Sequence, residues 1–328
     1  MLSKDKITEK ENMLLCINGQ RPAWVPSYYD ATAVVGPPAI FSERTLNANG
    51  NQVDIFGNEY ISQKDGAVPL SNITQEFRLK NVSEWREIMP HINLSSIDWE
   101  SEAREINSHL PNDKLLVYNG GHAWEHLHLL MGFEEALVAL ITEPEEVSVF
   151  LNSLADFWIE IMQRMSKYIH FDMVCLTEHM ATGNGPLMSP ATYRKVLKPI
   201  HKRFYDAITD IGAINMIHCD GFIEPLLSDF ADLGVKVIRP FQIFNDINRL
   251  KLEYGFIAVG GWDCFGRGNQ SDSTEEEARA SVRNAIDSYS PGNHYVFLQA
   301  GAAPSFKKSL EWIADEARIY GRAIYQNN

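Results

Sequence analysis

The run His218-Cys219-Asp220-Gly221 sets an imidazole and a carboxylate two positions apart. Side chains of an extended chain alternate between faces, so residues 218 and 220 point the same way, about 6.6 Å apart at the backbone, and Cys219 points elsewhere. Two such groups can converge on one ion or one substrate. Both are competent zinc ligands, and Glu178, at the end of the preceding apolar run, is the natural third. The competing reading is a hydrogen-bonded His-Asp pair that orders the loop before a helix.

A second group, His122, His126 and His128, lies in GGHAWEHLHLLMG. On a helix His122 and His126 share a face, but Glu125 is misplaced for a His-Glu-x-x-His zinc motif and His128 points away. His122 and Trp124 follow directly on Gly120-Gly121 and are expected to line a pocket instead. Other polar and aromatic residues stand where apolar runs stop: Tyr28, Tyr29, Asp30, Asn119, His179, Arg239, Gln242, Trp262, Asp263 and Gln299. Any one of them could be a cap or a packing residue. Their convergence points to a substrate site, with Glu178, His218 and Asp220 as its catalytic members. Glu178 or Asp220 is also open to a general-acid role, because burial in an apolar mouth raises a carboxylate pKa.

These residues need strands to position them. From Lys114 onward, short apolar or β-branched runs alternate with amphipathic helices, the pattern of βα units around a parallel sheet. Strands are expected at 24–29, 115–119, 172–177, 213–218, 235–239, 256–260 and 294–299. Helices are expected at 3–18, 144–167, 190–211, 222–233, 274–288 and 306–325. This repetition favours an α/β chain folded as a (β/α)8 TIM barrel, with one strand degenerate, over a doubly wound open sheet. Neither a Gly-x-Gly-x-x-Gly nor a Walker A loop supports the open sheet. The whole span 1–328 reads as a single barrel domain, in which 1–110 carries an irregular N-terminal elaboration of loops and hairpins.

Composition narrows the function. The formal charge is −14, and 45% of the residues are hydrophobic against 22% charged, ordinary values for a globular protein. An acidic surface repels phosphate backbones and anionic lipid, so nucleic acid is not an expected partner. No apolar run approaches the roughly 20 residues that span a bilayer. The charged start, MLSKDKITEKENMLLC, does not read as a secretory signal, and a cytoplasmic location is expected. Cys16, Cys175, Cys219 and Cys264 form no Cys-x-x-Cys pair, against a disulfide framework or a zinc knuckle.

Several segments together resemble the uroporphyrinogen decarboxylase superfamily. EHMATGNGPLMSPATYRKVLKP (178–199) is similar to its Gly-Pro-Leu-x-Ser-Pro stretch, and MIHCDGFIEPLLSDFADLGVKVIRP (216–240) to its next unit, usually His-x-Cys-Gly. NGQRPAWVP near the start, DIFGNEY (54–60) and GGWD (260–263) fit as well. The resemblance implies a (β/α)8 barrel. True decarboxylases of the superfamily carry Arg-Gln-Ala-Gly-Arg-Tyr to hold a polycarboxylate, where this chain reads SYYDATAVVG, so the resemblance is closer to the cobalamin-linked methyltransferases.

In that branch zinc is held by His-x-Cys and a later Cys. Here His218 matches, Asp220 replaces the first cysteine, and the later Gly-Cys reads Gly301-Ala302. Loss of both thiolates implies an oxygen-richer zinc site, of His218, Asp220 and Glu178, and a substrate other than a thiol. The expectation is methyl transfer from a small O-methyl donor, a methoxyaromatic or similar molecule, to the cobalt of a separate corrinoid protein, since no Asp-x-His-x-x-Gly cobalamin motif occurs. The alternatives are a metal-free decarboxylase or lyase, with His179, His218 and Arg239 binding substrate, and a non-catalytic binding protein.

Overall fold

The computed structural model describes residues 7–42, 44–63, 66–299 and 307–325. Seven strands form one parallel sheet in chain order: β1 (Thr32–Val35), β2 (Leu115–Asn119), β3 (Met173–Thr177), β4 (Ile214–His218), β5 (Val237–Phe241), β6 (Ile257–Gly260) and β7 (Tyr295–Phe297). Helices return the chain between successive strands from β2 onward, so the fold is α/β. The sheet curls far enough for Ser27, just ahead of β1, to bridge in parallel to Phe297 of β7. The Phe297 N–H also donates to the Pro26 carbonyl at 2.8 Å.

Six of the seven expected strands lie within a few residues of their places. The strand expected at 24–29 does not form. Pro26 brings no N–H to a ladder, and Tyr28–Ala31 makes one helical turn; the strand comes next, where Thr32, Val34 and Val35 supply β-branched residues. No eighth strand joins the sheet among the described residues. The Asn- and Gly-rich stretch expected as hairpins is a four-stranded antiparallel meander of Thr45–Leu46, Gln52–Val53, Glu59–Gln63 and Gly66–Pro69.

Alternation along the strands builds two apolar layers. Leu115, Val117, Met173, Cys175, Met216, Val237, Ile257, Val259 and Val296 pack together inside the curl. Tyr118, Val174, Leu176, Ile217, Ile238, Ala258 and Phe297 face outward into the helical layer. The helix Glu9–Ile17, started by a Thr8/Glu11 capping box, adds Met13, Cys16 and Ile17 to the interior cluster. Its Lys10 ammonium reaches the Lys114 carbonyl and Asp172, at the N-terminal ends of β2 and β3. The helix therefore covers the bottom of the curl, and the C-terminal strand ends stay open. Among the described residues no helix is long and apolar enough to cross a membrane.

Candidate active site

Directly above the interior apolar layer, the same alternation sets Asn119, Thr177, His218 and Arg239, each two residues beyond Val117, Cys175, Met216 and Val237. They pair among themselves: Thr177 Oγ1 donates to Asn119 Oδ1 at 3.1 Å, and Arg239 Nη1 donates to His218 Nδ1 at 3.2 Å. Pairing of Thr177 with His218 puts β3 and β4 in step, so the next inward positions are His179 and Asp220.

Those two residues and His218 form the centre of the site. Asp220 Oδ2 lies 3.2 Å from His179 Nε2 and 3.3 Å from His218 Nε2, and the three ligand atoms fall within 4.8 Å of one another. Glu125 backs His179, its Oε1 accepting from Nδ1 at 2.9 Å and from the His179 N–H at 2.8 Å, while its other oxygen sits 3.3 Å from His128 Nε2. An arginine can only donate, so Arg239 makes Nδ1 of His218 an acceptor and leaves the ring proton on Nε2, facing Asp220.

The charges follow from these contacts. Burial alone would raise Asp220 and Glu125, yet hydrogen bonds from the histidines hold both carboxyls well below their usual range. Asp220 and Glu125 together push His179 up to about 10, whereas burial and the Arg239 charge lower His218 even with Asp220 beside it.

The folded pKa of His179, about 10, lies above the unfolded value of about 6.5. The stability this pairing contributes is therefore fully present below pH 6.5 and lost as the pH rises through about 10. In chelator-treated protein, His179→Gln is expected to flatten the dependence of the urea midpoint on pH across that window. A variant with the wild-type slope would show that the pairing contributes nothing.

Glu178 does not join the centre, which corrects the expectation of a third ligand. One position out of step with Thr177 and His179, it points outward and is fully buried. Its carboxyl accepts the N–H groups of Ala123, Trp124 and Glu125 at 2.6, 2.9 and 3.3 Å and so caps the helix Trp124–Met131, which has no cap of its own. His201 Nε2 is 3.3 Å from Glu178 Oε1 but off line for a hydrogen bond. His179 takes the place in the centre that the expectation gave to Glu178.

Several expected substrate contacts are engaged elsewhere. Asp30 forms a two-pronged ion pair with Arg318 at 2.6 and 2.8 Å. Trp124 is buried and its Nε1–H donates to the His179 carbonyl at 3.0 Å, and Trp262, also buried, donates to Ser281 Oγ at 2.9 Å. Asp263 accepts from the Phe265 N–H at 3.1 Å and lines a separate cleft of about 490 Å³ with Arg267, Ser281 and Tyr289. His122 Nδ1 donates to the Thr177 carbonyl at 3.2 Å, and burial lowers its pKa. Tyr28 is buried in the interior cluster, Tyr29 is exposed, and Gln299 is half-buried beyond β7. Gly301 and Ala302 lie outside the described residues.

Gln242 acts on the loop rather than on a substrate: its Oε1 accepts the Gly221 N–H at 2.6 Å. Asn245, which the sequence reading missed, completes that clamp through the Gly221 carbonyl and the Ile223 N–H, both at 2.9 Å. Gly221 has φ +88°, and a Cβ there would meet the Thr182 carbonyl oxygen at 2.4 Å, so only glycine fits behind Asp220. Glu125 was also missed; its one signal was its place a single residue after Trp124.

A family model described as uroporphyrinogen decarboxylase (URO-D) matches residues 72–255, more than half of the chain and the whole of the centre just described. No curated protein matches the sequence. Among solved structures, a methyltransferase from Methanosarcina mazei superposes with a TM-score of 0.62 at 15% identity, over 96% of this chain and 99% of that one, a likeness of fold. A Xaa-Pro dipeptidase with bound methionine in its active site gives a TM-score of only 0.33 at 14% identity, over 67% of this chain and 57% of its own, and carries no argument.

Proposed function

Because the chain belongs to the uroporphyrinogen decarboxylase family, we propose that it is a methyltransferase, moving a methyl group from a small O-methyl donor to the cobalt of a separate corrinoid protein. The observation that carries this reading is the His179, His218 and Asp220 centre at the open strand ends, where the superfamily resemblance expects a metal. The methyltransferase from M. mazei that shares the fold supports the choice of reaction class. We read the fold as a full (β/α)8 barrel whose eighth position is taken by the segment at Pro26-Ser27 beside β7.

The donor set suits zinc. Ligands about 2.0–2.1 Å from a tetrahedral ion stand roughly 3.4 Å apart, and the two Asp220 to histidine separations are 3.2 and 3.3 Å. Glu125 on Nδ1 of His179 is the carboxylate that zinc-bound histidines commonly carry behind them. His179, His218 and Asp220 would hold the ion, and bound zinc supplies Lewis acidity to the oxygen that the methyl group leaves.

The protein does the rest. His179 would give up its Nε2 proton on uptake and keep the Nδ1 proton on Glu125. His218 would bind as its neutral Nδ1-protonated tautomer, so Arg239, which can only donate, would turn away from that nitrogen. Glu125 fixes the His179 ring, and Gln242 and Asn245 fix the Asp220 turn. Methyl transfer to Co(I) leaves the donor oxygen anionic and yields methyl-Co(III), so no oxidant or reductant is consumed beyond the cobalt couple.

Purified chain is expected to methylate the cobalt of a corrinoid protein from at least one of a panel of methyl ethers and methanol, read by the corrinoid absorbance. Chelation should abolish the transfer and zinc restore it. No cobalt methylation from any donor would sink the proposal. Turnover of a small acid that survives exhaustive chelation would favour the metal-free lyase, a reading to which the positive His179 and Arg239 lend support.

A further inference from the structure

Arg239 is the one member of the inward polar layer that carries a fixed charge. Its Nη1 donates to His218, and its guanidinium lies over the Tyr28 ring, 4.8 Å from the centroid. Among the described residues no carboxylate comes within ion-pair distance of it, although arginines elsewhere in the chain, such as Arg267 and Arg318, are paired with acids. Asp220 is separated from it by the width of the His218 ring and already accepts from two histidines. A partly buried guanidinium without a counter-charge is costly to maintain.

Two buried polar atoms of the same stack, Arg239 Nε and Tyr28 Oη, meet no acceptor in good hydrogen-bond geometry among the described residues, although Thr32 stands beside the phenol and Tyr29 and Cys175 beside the guanidinium. Burial holds the Tyr28 phenol protonated far beyond neutral pH, so both atoms are donors. Buried donors left open beside a cation call for an acceptor that carries negative charge. One guanidinium pairs with one carboxylate, because His179 is already engaged by Glu125 and Asp220.

We propose that the methyl donor is a monocarboxylate whose carboxylate docks on Arg239 and Tyr28, with its O-methyl group towards His179, His218 and Asp220. This names the substrate class within the function proposed above and rests on that reading for the word donor. Asp30 does not oppose such an acid, because it is paired with Arg318, and a cation is what faces the interior.

The test is equilibrium binding, without zinc turnover or corrinoid, of methoxyacetate and 3-methoxybenzoate against their uncharged amides. Calorimetry on wild-type protein is expected to show the acids bound about tenfold or more tighter than the amides. Arg239→Gln should erase the preference and Arg239→Lys retain part of it, which separates charge from damage to the fold. Tyr28→Phe should weaken the acids and leave the amides unchanged. Equal affinity for acid and amide in the wild type, a preference that survives Arg239→Gln, or no binding of any acid overturns the assignment. Acid-selective binding without cobalt methylation would leave this site standing and remove the methyltransferase; transfer from neutral ethers unaffected by Arg239→Gln would do the reverse.

Discussion

Under the proposed function, Asp220→Ala is expected to abolish zinc binding and to lower methyl transfer by about a thousandfold, the several kcal/mol that a Lewis acid contributes to such a barrier. Among the described residues Asp220 is the one carboxylate that pairs with both histidines, so its removal would take away a proposed ligand and let the two rings separate. It also leaves His179 without one of the two carboxylates that raise it. Glu125→Gln makes a graded comparison. Its amide can still accept through one oxygen from His179 Nδ1, but the charge behind the ring is gone, and zinc affinity is expected to fall about 10- to 100-fold while the three ligands remain. Metal content by mass spectrometry, beside turnover at saturating zinc, checks both. Full zinc occupancy in Asp220→Ala would remove that carboxylate from the site and, with it, the basis for the Lewis-acid reading.

How much of this was legible beforehand follows from two kinds of signal. The periodicity of the strands was strong from residue 115 onward because each is a short apolar run ended by polar residues, and those six strands are where the pattern puts them. The first strand was missed because aromatic residues in WVPSYY carry β propensity that Pro26 and the Tyr28–Ala31 turn override, while Thr32–Val35 is only four residues long. In the site, the two-residue alternation that set His218 and Asp220 on one face held. The same rule applied from Cys175 would have passed through Thr177 to His179 and set Glu178 aside. What no rule of local spacing contains is the long-range pairing: Glu125 with His179, Asn245 with Gly221 and Asp30 with Arg318 each join distant parts of the chain. Side-chain type identified these residues as polar; only the curl of the sheet decides which of them share a partner.

Glu178→Ala is expected to destabilise the fold by about 3–5 kcal/mol, the largest stability effect of any single change in this region. The residue is fully buried, and its carboxyl is the cap of the helix Trp124–Met131; without it the N–H groups of Ala123, Trp124 and Glu125 are left in an apolar layer that water does not reach. The buried His201 loses its neighbour as well. The helix start is what aims Glu125 at His179, so the loss should reach the site through position rather than through a missing ligand. Glu178→Gln separates the two roles. It keeps one acceptor oxygen for the helix, should cost roughly half as much in urea unfolding, and is expected to retain its zinc. If Glu178→Gln instead folds with near wild-type stability and loses its metal, Glu178 is a ligand after all, and the cap is the lesser of its two functions.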